Sequence, residues 1–101
     1  MKVVFTNQAH DSLDELTRFL LEEQEWTLEK LLAFRAKLLD KADSLEATYN
    51  HYQQEDYLEH LEKKHKRAIE GFVKIIYRVE KELIYITDFF DTRQDPDKMK
   101  G

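Results

Sequence analysis

Apolar and polar positions change their rhythm along this chain. Near the end the period is two: Val73, Ile75, Tyr77 and Val79 alternate with Lys74, Ile76, Arg78 and Glu80. After a charged link, Leu83, Tyr85, Thr87 and Phe89 alternate with Ile84, Ile86 and Phe90, so the second run is apolar on both sides. Such alternation predicts paired β-strands over 73–80 and 83–90, the second lying inside a sheet. Glu80-Lys81-Glu82 contains no Gly or Asn, so a turn slightly longer than two residues is expected between them. A short strand over Lys2–Thr6 and another beginning near Arg67 complete the extended set.

Between these strands the period becomes helical. Ala9, Leu13, Leu16 and Leu20, with Leu21 beside them, form one stripe, and Thr6 or Asn7 is placed to cap its start. The polar stretch Glu22–Glu25 has the length of a link between antiparallel helices. A second stripe of Leu28, Leu31, Leu38, Ala42 and Leu45, broadened by Leu32, Phe34 and Leu39, starts after Thr27. These leucines are expected in the core. Residues 48–62 fit either a short helix or an extended crossing segment.

The expected fold is therefore α+β in the order β-α-α-β-β-β. A helical hairpin over about 8–48 packs on a small antiparallel sheet over about 66–92 plus strand 2–6. The neighbour of the first strand is left open. One domain over 1–101 accounts for every apolar stripe, and a chain of this length buries roughly 65% of its unfolded surface.

Composition narrows the chemistry. Without Cys, disulfides and thiolate metal sites are excluded. No apolar run reaches the ~18 residues of a membrane helix, and the first residues are too short for a signal peptide, so a cytoplasmic protein away from membranes is expected. The net charge of -5 argues against binding nucleic acid by bulk charge. His10, His51, His60 and His65 lack the i, i+4 spacing of a helical metal pair, and no metal or cofactor is expected. His60 and His65, set among charges, read as solvated side chains rather than an acid–base couple.

Two segments stand out as candidate sites. Lys63-Lys64-His65-Lys66-Arg67 is the one dense basic run, readable as a solvated face or as donors for a phosphate or an acidic partner surface. Asp91-Thr92-Arg93-Gln94-Asp95-Pro96 leaves the end of the last strand, where scaffolds commonly display working residues. Arg93 there either pairs locally or offers its fork to a carboxylate or phosphate.

Three stretches, in order, carry a resemblance: Phe5-Thr6-Asn7-Gln8-Ala9 before the helical hairpin, Val73-Lys74-Ile75-Ile76-Tyr77-Arg78-Val79, and Ile84 to Pro96 with its Arg-containing tail. Together they resemble the ParE branch of the RelE/ParE toxins of type II toxin–antitoxin, or plasmid stabilisation, systems. The resemblance implies a toxin neutralised by a cognate antitoxin whose C-terminal segment wraps the hairpin and sheet. ParE-like toxins inhibit DNA gyrase by binding it, without catalysis. Their RelE-like cousins are ribosome-dependent mRNA endonucleases that use Lys and Arg residues and a C-terminal Tyr. Matched strand by strand, Arg93 falls on the catalytic Arg of the RelE type, and Lys64, Lys66 and Arg67 near its basic residues. An endonuclease here would rest on Lys66, Arg67 and Arg93; a binding protein would use Lys64, Lys66, Arg67, Arg78, Asp91 and Arg93. No Tyr follows residue 85, and Ile69–Phe72 contains no Arg to steady a scissile phosphate. Inhibition by binding is thus the expectation, mRNA cleavage and a non-toxic partner-binding relative the alternatives.

Overall fold

The computed structural model describes residues 1–101. Alternating residues form strands β1 (Lys2–Phe5), β2 (Lys66–Glu70), β3 (Val73–Glu80) and β4 (Leu83–Asp91). The helical stripes form α1 (Asn7–Glu22) and α2 (Leu28–Thr48), so the β-α-α-β-β-β order is as expected. Thr6 caps α1 by accepting from the Ala9 N–H at 3.1 Å, and Thr27 caps α2 by accepting from the Lys30 N–H at 3.2 Å. Each cap satisfies a donor that the first helical turn leaves free.

The sheet order is β1-β4-β3-β2. β2, β3 and β4 are antiparallel neighbours, but β1 runs parallel to β4, with Val3 beside Ile84 and Phe5 beside Ile86. The sheet is mixed rather than wholly antiparallel, because the helical hairpin between β1 and β2 returns the chain to the far edge. No helix is long and apolar enough to cross a membrane.

Two hairpin details differ from expectation. Only Lys81 and Glu82 link β3 to β4, since Glu80 already pairs with Leu83. Lys81 takes a left-handed φ of 57° to make that turn, a conformation costing a non-glycine residue about 1–3 kcal/mol. At the other link Gly71 has φ 59°, and the Phe34 ring lies 3.3 Å from where a Cβ would stand. Between Ile76–Asp88 and Tyr77–Ile86 the β3–β4 register shifts by one residue, leaving Thr87 as a bulge. That extra residue transfers Phe89 to the face of Ile84 and Ile86 and sends Asp88 and Phe90 to the opposite one. Strict alternation had put Phe89 with Tyr85; the bulge reverses it.

On the helical side, Ala9, Leu13, Leu16 and Leu20 of α1 and Leu31, Leu38, Ala42 and Leu45 of α2 pack on Val73, Ile75, Tyr77, Ile84, Ile86 and Phe89. Leu21, Leu28 and Leu32 do not join this core and are 43%, 59% and 55% exposed. They lie at the turn end of the hairpin on the outward sides of the helices, while Leu20 and Leu31 beside them are buried. Beneath that end Trp26, Phe34 and Phe72 form an aromatic cluster with centroid separations of 5.0–6.0 Å.

Residues 48–62 combine both expected forms. Tyr49–His51 and Asp56–Leu61 are 3-10 turns, and the stretch between them crosses the outer edge of β2. The Arg67 N–H donates to the Gln53 carbonyl at 3.1 Å and the Glu55 N–H to that of His65 at 2.8 Å. The chain then passes under the second face of the sheet, where Leu58 meets Ile76, Phe90 and Met99 of the tail.

Candidate functional site

The residues singled out from the sequence occupy three separate places. Lys66 and Arg67 begin β2 and, as strand neighbours, project to opposite faces. Lys66 Nζ turns back to the Tyr49 carbonyl at 3.5 Å, which also accepts from the Tyr77 hydroxyl at 2.7 Å. Arg67 donates to the Gln54 carbonyl and, at 3.0 Å, to Gln53 Oε1, with Glu55 at 3.9 Å. Lys64 stands exposed in the preceding loop with a left-handed φ of 56°. Arg78 pairs with Glu80 and lies over the Tyr85 ring, 4.6 Å from its centroid.

Arg93 lies at the other end of β2. The Thr92 N–H donates to the Phe72 carbonyl at 2.8 Å, and the Arg93 guanidinium covers the Phe72 ring at 4.1 Å. From Arg67 to Phe72 is five residues of hairpin, or about 17 Å at ~3.3 Å per residue. Lys66, Arg67 and Arg93 are therefore not gathered at one centre. Asp91 holds Arg93 in place: Nε donates to Oδ1 at 3.0 Å, Nη2 to Oδ2 at 2.8 Å, and the Arg93 backbone N–H to Oδ1 at 2.9 Å. The hydrogen bonds to Asp91 raise the Arg93 pKa further above its ordinary value. This geometry matches the local-pairing reading of the exit segment, with the guanidinium rim still half exposed.

Several groups were missed. Glu55 is 3% exposed and receives Lys74 Nζ at 2.6 Å, so a carboxylate from the crossing segment ties down the second face. His65, read as solvated, is 2% exposed, and neither ring nitrogen has a hydrogen-bond partner. Burial, with Arg78 and Lys63 nearby, holds its pKa below the ordinary range. A lone imidazole in a basic run gives no periodic signal of burial; the crossing segment and tail create it.

Asp88 is the most pointed omission. It is 4% exposed and accepts from the Lys100 backbone N–H at 3.0 Å. Desolvation raises its pKa, against the lowering effect of the Lys100 backbone hydrogen bond. It lines a cavity of about 260 Å³ between α1, the end of β4 and the tail, together with Ser12, Phe19, Phe89 and Lys100. Ser12 Oγ accepts from the Phe89 N–H at 2.9 Å and donates to the Ala9 carbonyl at 3.0 Å. The signal was present: an acidic residue between Thr87 and Phe89 in an otherwise apolar strand. No three His, Asp or Glu side chains converge as metal ligands.

The chain matches no protein-family model and no curated protein.

Proposed function

We propose that this chain is the toxin component of a type II toxin–antitoxin pair, acting by binding a protein target and neutralised by a cognate antitoxin. DNA gyrase is the candidate target. The reading rests on the resemblance carried by Phe5–Ala9, Val73–Val79 and Ile84–Pro96, and the β-α-α-β-β-β order supports it. What favours binding over RNA cleavage is the engagement of the guanidinium groups. Arg67, Arg78 and Arg93 each face a carboxylate of the same chain, leaving no converged cation set to stabilise a phosphorane-like transition state. Leu21, Leu28 and Leu32 meanwhile offer exposed apolar surface on the hairpin.

Induction of the chain alone, with plasmid supercoiling and RNA integrity followed together, tests the proposal. Growth arrest with altered supercoiling and intact transcripts is expected. Transcripts cleaved on ribosomes, with cleavage abolished by Arg93→Ala, would make it an endonuclease. Unimpaired growth would leave a non-toxic partner-binding protein.

A further inference from the structure

Three carboxylates are buried in this molecule, and two of them carry a cation. Glu55 holds Lys74 at 2.6 Å and Asp91 holds Arg93 at 2.8 Å, while Asp88 has no basic side chain within ion-pair distance. An unpaired buried carboxylate costs several kcal/mol unless its charge is met or neutralised. The Lys100 backbone N–H meets one oxygen of Asp88. The side chain also borders the 260 Å³ cavity, whose volume lies below the ~300–1,000 Å³ of sites for drug-sized ligands and suits a single long side chain.

The walls resemble a site the protein already fills. At the corner of β4, Arg93 sets its fork on Asp91 and its flat face on Phe72. The cavity likewise has a buried carboxylate and an aromatic ring in its lining, Asp88 and Phe19. Its exposed charged lining is Glu15 of α1 with Lys98 and Lys100 of the tail, while Asp91, also in the wall, is buried and taken by Arg93. We infer that this cavity receives an arginine side chain from a partner protein, its guanidinium on Asp88 and its stem along the aromatic wall. The inference rests on the protein-binding reading and names a contact that the partner makes.

The test is a titration of the full chain with Nα-acetyl-arginine amide and with its neutral isostere Nα-acetyl-citrulline amide, read by the Asp88 carboxyl carbon resonance. The arginine compound is expected to bind about tenfold more tightly, the citrulline compound leaving the Asp88 midpoint where it is. The midpoint is expected to fall as arginine amide saturates the site. Asp88→Asn removes the charge from a folded protein and is expected to erase the difference between the two compounds. Equal binding of both, or unchanged discrimination in Asp88→Asn, overturns the inference. So does a rise of the Asp88 midpoint in Lys100→Met combined with no arginine binding by the wild type, which would make Lys100 the cation. These readouts are independent of growth and supercoiling, so a failed titration removes the cavity's role alone. Unaltered supercoiling on induction removes the functional reading alone.

Discussion

On its helical side the sheet presents Val73, Ile75, Tyr77, Ile84, Ile86 and Phe89 to the leucines of both helices, an apolar contact with few polar interruptions. On the opposite side Ile76 and Phe90 meet only Leu58 and Met99, and the remaining cover comes from ion pairs and backbone bonds. The helical face is held by area removed from water, which is non-directional and tolerant of small shifts. The second face depends on directional contacts: Glu55 with Lys74, Lys100 with Asp88, and Gln53 with Arg67. Two of the three buried carboxylates, Glu55 and Asp88, therefore lie on this second side together with the buried His65, whereas Asp91 with its Arg93 belongs to the helical face.

The largest break in this comparison is expected from Ile75→Ala. The residue is fully buried in the helical-face core, and chemical denaturation should show a loss of about 2–5 kcal/mol. Glu55→Ala should cost less, about 1–3 kcal/mol, because it strands Lys74 and Arg67, which are about one-fifth exposed and regain water.

The next effects depend on pH. His65 is held below its ordinary value of 6.5, so the unfolded chain takes up a proton there before the folded one does. Stability is then complete above that value and is lost as pH falls below it. Thermal melts of wild type should show this acid slope, and His65→Phe should flatten it. Asp88 has the opposite sign. Its raised pKa means that the folded state holds the proton longer, so stability falls as pH rises past the ordinary value of 3.8. Asp88→Asn should raise the melting temperature at neutral pH and change it little in strong acid.

The smallest effect is expected for Arg93→Lys. It keeps a cation beside the buried Asp91 carboxylate and loses only the two-pronged fork at a position that is 47% exposed, so less than about 1 kcal/mol should be lost. A growth or binding defect in that variant, with stability intact, would mark the exposed rim of the guanidinium as a contact.

Much of the architecture was legible because periodicity records burial directly. Ala9, Leu13, Leu16 and Leu20 could share a face only on a helix, and Ile75 and Tyr77 only on a strand. The two threonine caps were legible as well, since a side-chain oxygen before a helix has one local task. Phe89 was misassigned because a bulge at Thr87 is an insertion in register, visible only once β3 and β4 are paired. Leu28 and Leu32 were expected inside with the stripe, but they sit on one flank of the line through Leu31 and Leu38, and how wide a stripe is covered is decided only when the elements pack.

For the candidate sites the division is sharper. Arg93 beside Asp91 was open to local pairing from sequence, since they stand two positions apart. Glu55 and Lys74, or Asp88 and the Lys100 N–H, are 19 and 12 positions apart and share no pattern.

By itself the sequence determined the order of elements, the identity of the helical face and the absence of thiol chemistry, because each follows from local periodicity or from residue type. Tertiary structure alone decided which charges are spent. Whether a guanidinium or carboxylate remains free for a partner depends on what the fold brings within about 4 Å of it, and in this chain that selected Arg67 and Arg93 for internal pairs and left Asp88 facing a cavity.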